Sequence, residues 1–257
     1  MKSKSLLMKP DFTRRAVLLA PLACLNSIPA HAISQIFRLN NGEVLLPQPW
    51  ICDTFSLADP TLLGSGGSGA VFSMSTKADE KVAVKVSWAN AASSVINEGK
   101  VLGALNKAGV EGIEQLRGSC MLPGNRVVLV LSPLVERPIE RIEALPSSGQ
   151  IRAVEGLAST LVQMLAARVA TTDVQLLADG SSGVSLLIDL SEASILGSEE
   201  LSELDIALAS SFVAEVDALV PSTGALRQTF LARVVRAMRT SPPCAELAEV
   251  LTGGLGL

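Results

Sequence analysis

Tyrosine is absent from the 257 residues, histidine occurs once, and the aromatic side chains amount to two Trp and six Phe. With a single imidazole, Ser-His-Asp triads and multi-histidine metal sites are excluded unless a second chain supplies ligands. No Lys/Arg-rich run breaks the balance of 21 basic against 25 acidic residues, and the formal net charge is −4. That charge, and the few rings available to stack on bases, argue against a nucleic-acid binder. Charged residues make up only 18% of the chain and hydrophobic ones 48%, too apolar for disorder. The length suits one large domain or two small ones with a true core.

The first 32 residues differ from the rest. Lys2, Lys4, Lys9, Arg14 and Arg15 face one acid, Asp11, and a short apolar stretch from Ala16 to Leu25 follows, interrupted by Pro21. Ala30 and Ala32 flank His31 in the small-residue pattern that a signal peptidase accepts, and the apolar run is too short to span a bilayer. Thr13-Arg14-Arg15 resembles a twin-arginine signal. The expectation is a cleaved targeting segment over residues 1–32, with delivery to the bacterial periplasm or the thylakoid lumen, or residence in stroma or cytoplasm if it is not cleaved. Removal of these 32 of 257 residues leaves 225, with 16 basic and 24 acidic groups, a net −8 that argues against acidic partners. It also removes the only histidine. Three cysteines remain, Cys52, Cys120 and Cys244, without zinc-ligand spacing; an odd number cannot all pair internally, so cysteine says little about compartment.

Residues 33–54 read as an N-terminal extension. From Phe55 to Leu131 the pattern is strand-rich: Ala70 to Ser75 and Lys81 to Trp88 alternate around a polar turn, a third strand precedes them, and Ile113 to Cys120 and Arg126 to Leu131 follow. Between these pairs, Ala91 to Lys107 has helical spacing, with Val95, Val101, Leu102 and Leu105 on one face. Beyond Pro133 the period changes. Gly149 to Val169 predicts a long helix, Val174 to Leu177 and Val184 to Ile188 a β pair, and Glu199–Leu219, Thr223–Met238 and Pro243–Leu251 further helices. The fold class expected is α+β in two lobes, a strand-rich one over 55–131 and a helical one over 132–257.

Gly64, Ser65, Gly66, Gly67, Ser68 and Gly69, with Ala70 and Val71 after them, fit G-x-G-x-x-G-x-V. A Walker A loop needs Lys and Ser or Thr after its last glycine, and a dinucleotide loop opens a helix; here a strand pattern follows instead. A glycine loop between two strands, followed by Val82-Ala83-Val84-Lys85, resembles the protein-kinase-like family over roughly residues 55–195. The resemblance implies a two-lobed kinase-like fold with a reduced C-lobe, and ATP and Mg²⁺ as cofactors. Loop backbone N–H groups would approach the phosphates, Val71 and Ala83 would cover adenine, and Lys85 would face phosphate oxygens with Glu98 as its ion-pair partner. Leu131 matches the gatekeeper, and the Ser132 carbonyl and Leu134 N–H match the hinge contacts. Taken alone, Lys85 also suits a snorkelling strand lysine, and Ser132-Pro133 a buried strand ending at a turn.

By the same resemblance Asp189, after the apolar Leu187-Ile188, is the magnesium ligand, and Asp173 is the base for an acceptor hydroxyl on a protein or small molecule. Turn capping is the plain alternative for both acids. Departures from the family are specific. Thr171 and Thr172 stand where it has His and Arg, the metal-binding Asn is missing with Gln175 near its place, no A-P-E follows Asp189, and 68 residues remain after that position. Without tyrosine, self-modification falls to Ser and Thr. Two functions are therefore expected: an ATP-dependent phosphotransferase of Ser/Thr type with a divergent catalytic loop, or a pseudokinase that binds nucleotide or a partner. A small-molecule kinase shares the two acids but usually keeps the Asn.

Overall fold

The computed structural model describes residues 33–39, 42–48, 50–135, 138–197, 199–222 and 224–257. The expected targeting segment lies outside the described residues. Strands β1 (Ile33–Leu39) and β2 (Gly42–Gln48) form an antiparallel hairpin. Next come β3 (Trp50–Cys52), β4 (Phe55–Ser65), β5 (Gly69–Thr76) and β6 (Lys81–Ser87), then helix α1 (Ala92–Lys107), then β7 (Gln115–Leu122) and β8 (Arg126–Ser132). These strands build one antiparallel sheet in the order β3-β4-β5-β6-β8-β7. The remainder consists of β9 (Pro138–Ile139), α2 (Ser147–Ala166), β10 (Val169–Ala170), β11 (Gln175–Asp179), β12 (Ser185–Ile188), β13 (Ser194–Ile195), α3 (Glu203–Ala218), α4 (Gly224–Thr240) and α5 (Ala245–Leu255). The chain is thus α+β. Among the described residues no helix is long and apolar enough to cross a membrane.

Both faces of the large sheet are buried, and the period of two decides which residue goes where. Ala70, Phe72 and Met74 of β5, Val82, Val84 and Val86 of β6, and Val128 and Val130 of β8 fill one apolar cluster with Trp50, Leu57 and Leu46. The alternate residues, Ala83 on β6 and Val127, Leu129 and Leu131 on β8, join a second cluster with α1. That second core continues through α2, the β11–β12 pair and α3 to α5, so sheet and helices share one apolar interior. Residues 33–257 form one compact unit.

The sheet curls on itself. Strands β3 and β7 are its opposite edges, yet Cys52 and Cys120 are disulfide-bonded with Cα atoms 5.4 Å apart. Edge strands expose unpaired backbone groups, and here the two edges face one another. A side chain at Gly118 would come within 3.1 Å of the Asp53 carboxylate and 3.3 Å of Phe55. Among the described residues, two of the three cysteines therefore pair and Cys244 stays free. The pairing also draws Trp50–Cys52, from the segment expected to be an extension, into the sheet.

Three boundaries differ from expectation for local reasons. The helix expected over 149–169 ends at Ala166, because Arg168 is left-handed (φ 56) and Val169–Ala170 pairs with Ser194–Ile195. The helix expected from Glu199 begins at Glu203, where Ser202 and Asp205 form a reciprocal capping box. The strand expected from Ile113 begins at Gln115; Ile113 instead makes a parallel bridge to Leu187.

Candidate functional site

Lys85 lies on the face of β6 that looks toward α1, in register with Val71 on β5 and Leu129 on β8. Ala83 shares that face with Leu131, so Val71, Ala83, Lys85 and Leu131 line one surface. The lysine is 5% exposed. A lone ammonium there would carry a desolvation penalty of several kcal/mol, and two carboxylates meet it. Nζ lies 3.1 and 2.8 Å from the two oxygens of Glu98 and 2.5 Å from Oδ1 of Asp189. Glu98 is fully buried on α1. Its neighbour Gly99 lets the helix approach β8: a Cβ there would sit 3.1 Å from the Leu129 side chain.

Asp189 follows β12 in the left-handed conformation, φ 57 and ψ 58, uncommon for a residue with a side chain. Several groups hold the turn. The Lys85 ammonium holds the Asp189 carboxylate, and the Ala193 N–H donates to the Leu190 carbonyl at 3.1 Å. Asn97, beside Glu98 on α1, donates to the Ser191 carbonyl at 3.1 Å and the Ala193 carbonyl at 2.9 Å.

The electrostatics follow from one cation among three acids. Burial alone lowers the pKa of Lys85, but Glu98 and Asp189 outweigh it and hold it above its ordinary value. Burial raises Glu98, with Lys85 opposing. Glu114 is half-buried. Burial, reinforced by Glu98, pushes it up to about 7 against the pull of Lys85.

The glycine loop joins β4 to β5. Gly66 N–H donates to the Gly69 carbonyl at 2.9 Å, and Trp88, just after β6, fastens the loop from below: its indole N–H reaches the Gly66 carbonyl at 2.8 Å and its backbone N–H the Ser68 carbonyl at 3.0 Å. Only Gly69 is demanded by packing, since a Cβ there would lie 2.2 Å from the Val86 carbonyl oxygen. At Gly64, Gly66 and Gly67 a Cβ would meet nothing within 4 Å. Ser65 is exposed and Ser68 half-buried.

The remaining expected site residues are less tightly drawn in. Ser132 is buried, ends β8, and its hydroxyl accepts from Arg117 at 3.4 Å; a cis peptide leads to exposed Pro133 and half-buried Leu134. Asp173 is exposed in the turn from β10 to β11, its N–H donating to the hydroxyl of buried Thr171 at 3.2 Å. Gln175 opens β11 opposite Ile188, the residue before Asp189. Because Ala170 also pairs with Ser194, the 171–174 turn and the 189–193 turn lie at the same end of their strands. Among the described residues, however, no hydrogen bond or ion pair joins Asp173 or Gln175 to Lys85, Glu98 or Asp189.

Asn97, Glu114 and Trp88 are the site residues that sequence reasoning missed. Asn97 adjoins Glu98, and Trp88 ends the Val-Lys strand, so both were within reach of the motif. Glu114 had no local signal. A groove of about 380 Å³ along α4, between Leu231 and the terminal Leu257, shares no residue with this cluster. No protein-family model matches the chain, and no curated protein matches it.

Proposed function

We propose that this chain is an ATP-binding protein of protein-kinase-like, two-lobed fold, acting as a phosphotransferase with a pared-down catalytic loop. The observation that carries the reading is the meeting of Lys85 with both Glu98 and Asp189, three side chains delivered by β6, α1 and the turn after β12. In the kinase arrangement these groups act together: the paired lysine faces phosphate oxygens and the aspartate holds the metal. Glycines 64, 66 and 67, which no neighbour in the fold requires, suit close approach of a ligand to the backbone. Val71, Ala83 and Leu131 offer an apolar cover for a base, and the Ser132 carbonyl and Leu134 N–H its polar edge.

Among the described residues no group of three acids, Cys or His could hold a metal. Mg²⁺ typically takes one or two carboxylates and completes its shell with phosphate oxygens and water. Asp189, with 28% of its side chain exposed, fits that role with a nucleotide present, and Gln175 stands beside its strand. Bound there, Mg²⁺ would neutralise phosphate charge. Asp173 is assigned the acceptor hydroxyl.

A second reading, a pseudokinase, is favoured by the exposed Asp173 with no bond to the trio. The disulfide supports export to an oxidising compartment, where ATP is generally scarce, which also favours binding without turnover. The test is calorimetry with MgATP, then release of labelled phosphate. The phosphotransferase reading expects binding lost in K85M, and transfer to Ser/Thr acceptors lost in D189N and D173N. Binding without transfer establishes the nucleotide-binding pseudokinase; no binding at millimolar MgATP refutes the phosphotransferase and leaves only a pseudokinase that binds a partner.

A further inference from the structure

We infer that Trp88 is a positioning residue that aims the glycine loop: by holding the Gly66 carbonyl on one side of the sheet, it turns the Gly67 N–H toward the side of Lys85, where phosphate oxygens would be met. This deepens the proposed function and rests on it for the ligand, though the aim of the loop stands on geometry alone. Trp88 is 5% exposed. Alternation along β6 puts Val84 and Val86 on the face that packs with Phe72 and Met74, and Trp88 falls in the same apolar cluster. Ala83 and Lys85 take the other face, toward α1. The indole N–H donates to the Gly66 carbonyl at 2.8 Å, and the Trp88 backbone N–H to the Ser68 carbonyl at 3.0 Å. The tryptophan therefore grips the loop from the face that Lys85 does not occupy.

A peptide unit is planar, and in its trans form the C=O and the N–H point in opposite directions. The Gly66–Gly67 bond is trans. With its carbonyl drawn to the indole, its N–H points away from Trp88, out of the apolar cluster and to the Lys85 side. The Gly66 N–H is engaged within the loop, donating to the Gly69 carbonyl at 2.9 Å; among the described residues the Gly67 N–H has no partner. Gly67 is exposed, and a Cβ there would meet nothing within 4 Å, so a ligand has room to reach that N–H. A backbone donor and an ammonium on one side of a sheet suit an anion, since hydrogen bonds to charged oxygens are the strong ones. Phenylalanine at position 88 keeps a ring in the cluster and loses the donor, which frees the peptide to rotate.

The experiment uses the full chain and its W88F variant, both carrying ¹⁵N glycine and tryptophan, and follows titrations with MgATP, magnesium tripolyphosphate and adenosine by NMR. In the parent, the Gly67 amide should shift with MgATP and tripolyphosphate and stay still with adenosine. The Trp88 indole N–H should exchange with solvent about a hundredfold more slowly than that of free tryptophan. In W88F the Gly67 amide should move before any ligand is added, and affinity for MgATP and tripolyphosphate should fall about tenfold while affinity for adenosine holds. Equal affinity for MgATP in the two chains overturns the proposal, and so do equal losses for MgATP and adenosine, the mark of a tryptophan that only fills the core. If W88F does not fold, the parent decides: an indole N–H that exchanges as fast as free tryptophan, or a Gly67 amide that stays still while MgATP binds, overturns it. A parent that binds neither MgATP nor tripolyphosphate refutes the nucleotide reading instead, and the Gly67 amide in W88F then decides whether Trp88 aims the loop.

Discussion

The Cys52–Cys120 disulfide joins the two edges of a six-stranded sheet, and its removal should open that sheet. The bond closes a loop of 68 residues that contains β4, β5, β6 and α1. On the chain-entropy account, a loop of this length restricts the unfolded state by about 4 kcal/mol. That is a large share of the roughly 5–15 kcal/mol net stability of a typical domain. With a urea dependence of about 2–3 kcal/mol/M for a chain of this size, reduction should lower the unfolding midpoint by roughly 1.3–2 M. The effect should also be local. β3 has three residues and one ladder partner, β4, so exchange over residues 50–52 and along β7 should rise in the reduced protein below its unfolding transition. The assay is urea unfolding followed by far-ultraviolet circular dichroism, oxidised against reduced, in a C244A background that removes the one free thiol among the described residues. Coincident midpoints would refute the view that this bond closes the sheet.

The glycine loop should separate ligand effects from folding effects. G67A places its methyl in open space and should leave stability within about 0.5 kcal/mol of the parent while weakening MgATP binding. G69A drives its methyl onto the Val86 carbonyl and should cost about 2–3 kcal/mol in urea unfolding; equal stability losses in the two variants would contradict this division. Glu114 predicts a pH dependence. Its folded pKa of about 7 lies above the ordinary 4.5, so between those values the unfolded chain binds fewer protons than the folded one. Stability from this group therefore falls as pH rises through that window, by about 3 kcal/mol in all. Urea midpoints from pH 4.5 to 8 should decline more steeply for the parent than for E114Q, and parallel curves would sink the assignment.

Legibility divides by range. The alternation of Lys81–Ser87 identifies β6, and its register already implies that Ala83 and Lys85 share a face; the spacing of Val95, Val101, Leu102 and Leu105 likewise puts Glu98 toward the sheet. These signals sit within one or two elements, where side-chain period and backbone direction are coupled. The disulfide and Glu114 depend on tertiary neighbours instead. Nothing in the composition of β3 and β7 tells that a sheet of six strands curls far enough for its edges to meet. Ile113 belongs to an apolar alternation that runs into β7, and its bridge to Leu187 depends on where β12 lies in the fold. Asp173 and Gln175 illustrate the opposite case: their spacing from Asp189 puts them at the same end of the hairpin as that residue, but spacing cannot aim a side chain.

The same packing that assembles Lys85, Glu98 and Asp189 also ties α1 to the turn after β12. For α1 to withdraw from the sheet, Glu98 would leave a buried lysine and Asn97 would release two carbonyls. Each separation strands a polar group in an apolar interior that runs unbroken from β8 into α2, and an unsatisfied buried group costs about 1–3 kcal/mol, more when charged. These penalties add in the same direction, since one movement of the helix breaks every contact. On the nucleotide-binding reading, the phosphate-facing lysine and the metal-facing aspartate are therefore set before any ligand arrives, and binding would not have to supply the energy of assembling them. Asp173, exposed and with no bond to Lys85, Glu98 or Asp189, stands apart from that unit, so on the same reading the difference between phosphoryl transfer and binding alone rests on a side chain that these contacts do not hold.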